Sequence, residues 1–256
     1  LKGDLFGALA AYREVLATIP ADHPQRKLWE TRVQVGKPYH ATPIFKDTVT
    51  YLEFNPTWTI PPGILQRDTL PEIRNDQSFL SRKNMTVLTA SEQTVDPSTI
   101  DWAATATHGF PYIIRQEPGP DNALGQVKFM FPNKYMVYLH DTPSKGLFTR
   151  SERTFSSGCI RTQNPLELAE LLLEDQGWDR ARIDQVVASK KTTRVNLDNP
   201  ITVMLLYWTA EVDEDGTVFF RRDVYNRDPA VIAGLDEPFR VSLPKGGLGL
   251  GTVEQR

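Results

Sequence analysis

Two residues in the middle of the chain have the types and spacing needed for nucleophilic catalysis. Cys159 is the only cysteine in the 256-residue sequence, and His140 lies a short distance upstream. A thiol with a pKa of about 8.5 is mostly protonated at neutral pH, and an adjacent imidazole can accept its proton and raise its reactivity. The alternatives are a small core cysteine and a structural histidine, because free cysteine is among the most buried residue types.

The elements around this pair can bring the two side chains together. Segment 136–140 has the composition of a strand that ends in His140, and Asn133 marks a turn after a preceding predicted strand over 127–131. Small residues precede Cys159, so the backbone there can turn tightly and a substrate can approach. We therefore predict a hairpin that aims His140 at the loop 141–158.

The residues on either side of the pair form a motif that is highly specific. Segments 138–143 and 156–161 resemble the L,D-transpeptidase (YkuD-type) catalytic domain, and the large periplasmic branch of that family in Gram-negative bacteria most of all. Many family members have a second histidine two residues before the cysteine, where this chain has Ser157. The resemblance covers roughly residues 29–235 and includes segments 32–38, 54–58, 116–125 and 205–210.

The resemblance implies a reaction and a set of roles. Cys159 would be the nucleophile, His140 the general base and acid, and the backbone N–H groups of Gly158 and Cys159 the oxyanion donors. The substrates would be peptidoglycan stem peptides, donor and acceptor, joined by a 3→3 cross-link without a metal or other cofactor. A carbapenem would acylate Cys159. An L,D-carboxypeptidase that hydrolyses the same acyl-enzyme, and a wall-binding module with a disabled site, are the alternatives.

Four residues near the pair are predicted to contact the substrate: Tyr138, Ser156, Ser157 and Arg161. Tyr138 should share the face of His140 at strand spacing, although a core aromatic fits the pattern equally well. Arg161 can bind a substrate carboxylate in a bidentate manner or brace the catalytic loop through backbone carbonyls. The resemblance implies that a nearby backbone carbonyl orients His140. The Asp141 carboxylate is the alternative, but adjacent strand side chains point to opposite faces.

The chain is predicted to have three parts. Residues 1–27 should form an N-terminal helix and a linker, where the family has opening strands. Residues 28–240 should form the catalytic domain, with a helical capping insertion over 61–110 whose alternative is an ordinary surface excursion. Residues 241–256 should form a flexible tail. The predicted fold class is α+β and mostly β, with a β-sandwich or mixed sheet and flanking helices.

The segment after the motif has clear helix signals. Asn164 is a predicted N-cap with Glu167 in a capping box, and Gly177 should end the helix. Its predicted buried stripe consists of Leu168, Leu171 and Leu172. Residues 179–190 should form a second helix. The near-continuous apolar run 201–210 predicts a central strand, and segment 213–216 a hairpin turn into the next strand.

Composition excludes several other function classes. The net charge of −3 favours neither nucleic acid nor an anionic membrane as a partner. The sequence has no apolar run of about 18 residues, hence no predicted membrane span. Its first stretch is amphipathic, unlike a signal peptide, so we expect a fragment or a processed form. The family resemblance implies a periplasmic location.

Overall fold

A computed structural model describes residues 29–107, 109–212 and 215–237. The chain divides into two compact units, and residues 27–207 form the larger one. Its fold is α+β, as predicted, with a mixed seven-stranded sheet and flanking helices. The predicted N-terminal helix and the predicted tail lie outside the described residues. No helix in the described ranges is long and apolar enough to cross a membrane.

The strands are short except for two. They are β1 Val33–Gly36, β2 Phe45–Phe54, β3 Trp58–Thr59, β4 Met85–Leu88, β5 Ile113–Gln116, β6 Val127–Met130, β7 Leu139–His140, β8 Thr154–Ser156, β9 Ile160–Thr162, β10 Thr193–Leu205, β11 Ala210–Val212 and β12 Val218–Phe220. The α-helices are α1 Pro62–Ile64, α2 Leu70–Asn75, α3 Ser78–Arg82, α4 Pro165–Leu173, α5 Arg180–Ala188 and α6 Asp228–Asp236. A π-helical turn, Leu65–Thr69, joins α1 to α2.

The large sheet has the strand order β10-β2-β6-β7-β9-β1-β8. Strand β7 pairs antiparallel with β6 and parallel with β9. Directly opposite residues share a face of a sheet, so one face carries an apolar row of Leu52, Phe129, Leu139 and Ile160. The main hydrophobic cluster joins Leu52, Phe129 and Leu139 of this row to α4 and α5 through Ala169, Leu173 and Ile183. The helices therefore cover one face.

Two strand predictions need correction. Strand β7 has two residues, because the Asn133 side chain holds a turn that extends to Val137, with Nδ2 2.7 Å from the Val137 oxygen. Among the described strands β10 pairs only with β2, so it lies at the edge of the described sheet and not at its centre. Ile201 and Met204 on β10 are accordingly 44% and 59% exposed.

The predicted helix over α4 is present, but its start and its buried side differ from the prediction. The Asn164 side chain makes no capping hydrogen bond, and its amide instead donates to Glu167 at 3.2 Å. The buried residues of α4 are Pro165, Ala169 and Leu173, whereas the three predicted leucines are only half-buried. Gly177 ends the helical segment in the left-handed region, as predicted.

The insertion is more than a set of helices. It contains a three-stranded antiparallel sheet, β3-β5-β4, which the sequence analysis missed, so it extends over 58–116. Its interior forms a second cluster of buried side chains: Ile60, Leu65, Leu70, Ile73, Leu80, Val87, Trp102 and Ile114. Buried Asn122 links the two ends of the insertion, because its amide donates to the carbonyl of Pro56 at one end and to those of Gln116 and Glu117 at the other. The insertion is thus a small layer with a core of its own.

The described residues from Trp208 onward belong to the other unit. Strands β11 and β12 pair antiparallel as the predicted hairpin, although residues 213–214 of its turn lie outside the described residues. Helix α6 follows, and the carboxylate of Asp228 at its start accepts a hydrogen bond from Thr209 at 2.7 Å.

Candidate active site

A row of polar side chains crosses the large sheet on the face opposite the apolar row. Lys128 lies opposite His140, and His140 lies opposite Arg161. Glu53 extends the row beyond Lys128, and Gln34 extends it beyond Arg161. Because directly opposite residues share a face, the imidazole has a cationic side chain on the neighbouring strand at each side.

Cys159 lies beside this row. It directly precedes β9, two residues before Arg161, and the Ile160 N–H donates to the Tyr138 carbonyl at 3.1 Å. Residues two apart on a strand share a face, so this pairing puts Cys159 and Tyr138 on the face of His140. The rings of Tyr138 and His140 meet edge-on, with centroids 5.6 Å apart. The β7–β9 pairing therefore brings the predicted nucleophile and base to adjacent strands.

The backbone orients the His140 ring. The side chain is 3% exposed, and Nδ1 lies 2.5 Å from the carbonyl oxygen of Asp141. A hydrogen bond to the backbone of Leu124 also favours the ring's protonated form. The Asp141 carboxylate has other partners, since it accepts from the Gln126 N–H at 2.9 Å and pairs with Lys145. The ring is thus contacted by backbone groups, one of them a carbonyl of the kind that the resemblance implies.

Burial keeps both predicted catalytic groups uncharged at neutral pH. Burial, followed by the charge of Arg161, lowers the pKa of His140 to about 3. Burial also raises the pKa of the Cys159 thiol, and the Tyr138 backbone and the Arg161 charge oppose this rise only in part. The resting state is therefore a neutral thiol with a neutral imidazole, which is the form of histidine that can accept a proton.

Ser156 braces the loop that carries the cysteine. Its hydroxyl donates to the Cys159 carbonyl at 2.6 Å and accepts from the Gly158 N–H at 3.1 Å. The residue is 2% exposed, so the structure favours a bracing role over the predicted substrate contact. The predicted oxyanion donor on Gly158 is likewise engaged by Ser156. Within the described ranges no hydrogen bond from the Cys159 N–H is found, so of the two predicted donors it is the one that is not engaged.

Comparison with known proteins identifies the domain. The model of the YkuD family, described as the L,D-transpeptidase catalytic domain, matches residues 17–197. This chain belongs to the YkuD family. A Haemophilus influenzae protein named "Putative L,D-transpeptidase" is 39% identical over 201 residues. That alignment covers 78% of this chain and 40% of the relative, so the chain spans less than half of the relative's length.

In this YkuD domain Arg161 is a half-buried cation without a carboxylate partner among the described residues. Its Nη1 donates to the Gln34 side chain at 3.3 Å, and its Nε is buried with no hydrogen bond. Gln34, which is fully buried, also donates to the Ser144 carbonyl at 3.1 Å. An unpaired buried charge is costly. Gln34 was not predicted as a site residue, although a glutamine between two valines of a strand indicates a polar face.

Lys128 is a second residue of the YkuD domain that the sequence analysis overlooked. It forms a largely buried ion pair with Glu53 at 2.8 Å, and its ammonium group lies 6.0 Å from the centre of the Tyr138 ring. The ion pair satisfies the charge of Lys128. Of the two cations in this row, Arg161 is therefore the one without a carboxylate partner in the described part of the chain. Ser157, by contrast with its neighbours, is exposed.

Proposed function

We propose that this chain is a cysteine-dependent L,D-transpeptidase that forms 3→3 cross-links between peptidoglycan stem peptides. The Cys159 sulfur attacks the carbonyl that joins the L-centre of meso-diaminopimelate to the terminal D-alanine of a tetrapeptide stem. A C–S bond forms, the C–N bond breaks, and D-alanine leaves with a proton. An amine of a second stem then attacks the thioester, and the thiol is restored.

The observation that carries this proposal is the β7–β9 pairing, because Cys159 directly precedes β9 and His140 ends the neighbouring strand β7. The neutral imidazole accepts the thiol proton as the sulfur attacks, and it returns that proton to the departing amine. The Asp141 carbonyl holds the ring in place.

Arg161 is proposed to meet a carboxylate of the donor stem. A guanidinium binds a carboxylate with two parallel hydrogen bonds, and the Nε of Arg161 has no protein partner in the described part of the chain. Its bond to the Gln34 side chain fixes the guanidinium at the same time. The predicted alternative, in which Arg161 braces the catalytic loop through backbone carbonyls, stays a prediction. Tyr138 and exposed Ser157 are the remaining proposed substrate contacts.

The substrate places the proposed enzyme in the periplasm, where the stem peptides of a Gram-negative wall lie. A carbapenem is the proposed inhibitor, because its strained amide resembles the scissile bond and would leave a thioester on Cys159. This thioester has no acceptor amine held beside it, so it should persist.

Product analysis tests the reaction. Purified protein is incubated with a tetrapeptide stem ending in D-alanine, with and without an acceptor stem, and the products are separated by mass. We expect D-alanine release and a 3→3 dimer that requires the acceptor. A tripeptide in equal yield with and without the acceptor would instead show an L,D-carboxypeptidase. Neither product from folded protein would contradict both, and would favour a wall-binding module.

We also propose that the insertion over 58–116 is a cap that moves during the reaction. It has its own core, and Arg67 on its π-helical turn lies 3.1 Å from the His40 ring, next to the chain segment that supports the catalytic loop. We expect its amides to exchange hydrogen faster than those of β2 and β6 in the free enzyme, and more slowly after acylation. Slow exchange throughout the insertion, unchanged by acylation, would contradict this proposal.

A further inference from the structure

The segment over residues 36–42, which follows β1 and is called the bracing turn below, contacts the catalytic loop at two points. The Lys37 N–H donates to the Ser156 carbonyl at 3.0 Å. The Thr42 hydroxyl donates to the Gly158 carbonyl at 2.9 Å. Both contacts join residues that are far apart in sequence and meet only because β1 lies beside β8 and β9. The loop that carries Cys159 is thus held from outside as well as by Ser156.

The direction of the Thr42 hydroxyl is determined by a second hydrogen bond. The Gly36 N–H donates to the same oxygen at 2.9 Å. A backbone N–H can only donate, so the hydroxyl accepts on that side and must direct its own proton elsewhere. Its other partner, the carbonyl of Gly158, can only accept. In these two bonds the Thr42 hydroxyl accepts from Gly36 and donates its proton to Gly158.

Glycine at position 36 makes this arrangement possible. A Cβ at Gly36 would overlap the carbonyl oxygen of His40 and crowd the backbone nitrogen of Thr42. The bracing turn therefore folds directly over Gly36. This close packing brings Thr42 within hydrogen-bond distance of both partners.

The carbonyl held by Thr42 belongs to the same peptide unit as the Cys159 N–H. A peptide unit is planar, and in the trans form its oxygen and its hydrogen point in opposite directions. The described chain has no cis peptide bond. Holding the Gly158 oxygen on one side therefore fixes the direction of the Cys159 N–H on the other. Gly158 has a φ of +114°, a value that residues other than glycine rarely adopt. Because glycine is flexible, backbone preference alone would not hold the Gly158–Cys159 peptide in this orientation.

We propose that Thr42 is a positioning residue for acyl transfer. Its hydroxyl orients the Gly158–Cys159 peptide so that the Cys159 N–H can donate to the oxyanion that forms when the sulfur attacks a carbonyl. The proposal rests on the proposed function, since it needs a tetrahedral intermediate, and it adds a residue that does not touch the substrate. A preorganised donor of this kind acts mainly in the transition state.

Two reactions of the same thiol separate this role from a structural one. Acylation by imipenem, followed by intact-protein mass spectrometry, passes through an oxyanion. Alkylation by iodoacetamide displaces iodide in one step and forms no oxyanion. Thr42→Val keeps the shape of the side chain without the hydroxyl, and Thr42→Ser keeps the hydroxyl. Loss of one oxyanion donor lowers the rate about 10²–10³-fold. A donor that is present but misdirected should cost less, so imipenem should acylate Thr42→Val about 10- to 100-fold more slowly than wild type.

The expected result is slow acylation but unchanged alkylation for Thr42→Val, with acylation restored to within about threefold of wild type in Thr42→Ser. Equal acylation of wild type and Thr42→Val would overturn the proposal, and so would an equal loss of both reactions. Thr42→Ala serves in place of the valine variant if that variant does not fold. A wild-type protein that alkylates but never acylates would instead overturn the proposed function itself, and this inference with it.

Discussion

Replacing Cys159 with alanine is expected to abolish covalent labelling by a carbapenem and to reduce 3→3 cross-linking by more than about 10³-fold. The reason is that Cys159 supplies the only thiol of the chain, and no water or hydroxyl nearby has a comparable intrinsic reactivity. The side chain is partly buried against the main cluster, so its truncation should cost about 1 kcal/mol of unfolding free energy. Intact-protein mass spectrometry and thermal unfolding measure the two effects.

Ser157→Ala is the matched control for this experiment. It changes the exposed neighbour of the motif and keeps the thiol, so one adduct of the drug's mass should still form. An adduct on Cys159→Ala would put the nucleophile on another side chain, with exposed Ser157 as the first candidate, because the Ser156 hydroxyl is buried and hydrogen-bonded on both sides. No adduct on folded wild-type protein would count against an active site altogether.

The second large effect is expected in the pH dependence of stability. In the folded protein burial lowers the pKa of His140 to about 3, against an ordinary value of 6.5. Below pH 6.5 the His140 ring is therefore protonated in the unfolded chain, whereas in the folded chain it stays neutral down to about pH 3. The stabilisation from the neutral ring is complete above about pH 6.5 and is lost as the pH falls toward 3. Between pH 7 and pH 4 this one group should remove about 3 kcal/mol of unfolding free energy.

His140→Gln tests this expectation by urea unfolding at a series of pH values. The variant should lack the His140 contribution, so its unfolding free energy should fall about 3 kcal/mol less than that of wild type between pH 7 and pH 4. Contributions from carboxylates are common to both proteins and cancel. His40→Gln, which changes an exposed histidine and retains His140, is the control and should keep the steep dependence. Parallel curves for wild type and His140→Gln would show that the ring is not buried in its neutral form.

The same substitution should also remove most of the acylation activity. Because His140 and Cys159 act as one unit in the proposed mechanism, the loss in the double variant should equal that in Cys159→Ala and not the product of the two losses.

The sequence was most informative where neighbouring residues carry the signal. The motifs around His140 and Cys159 predicted that the two residues lie near each other. A glycine at position 177 predicted the end of a helix. The roles of Gln34 and Thr42 could not be predicted in the same way. Each depends on a partner on a distant strand, and a single glutamine or threonine in a strand or turn has many equivalent explanations.

The predictions for β10 and for the start of α4 were wrong because each sequence pattern is compatible with two different structures. The apolar run that forms the second half of β10 has the composition of a central strand, but a strand paired on one side can have the same composition when its inward face packs on a core. At the start of α4, the expected capping partners Asn164 and Glu167 bond to each other. The Glu167 carboxylate also accepts a hydrogen bond from the Trp29 ring at 3.2 Å. These two residues are 138 positions apart in the sequence, so rules based on neighbouring residues could not predict the contact.

The position of β1 between β9 and β8 has a consequence for folding kinetics. The hydrogen bond from Thr42 to the catalytic loop joins residues 116 apart in sequence, so a loop of that size must close before the bond can form. The insertion's own antiparallel sheet lies within 58–116, and its contacts have shorter sequence separation. High contact order slows folding, so the insertion can become compact while the cysteine loop is still open. We therefore expect the thiol to reach its partly buried position late in folding, and to be accessible to oxidants until β1 is in place.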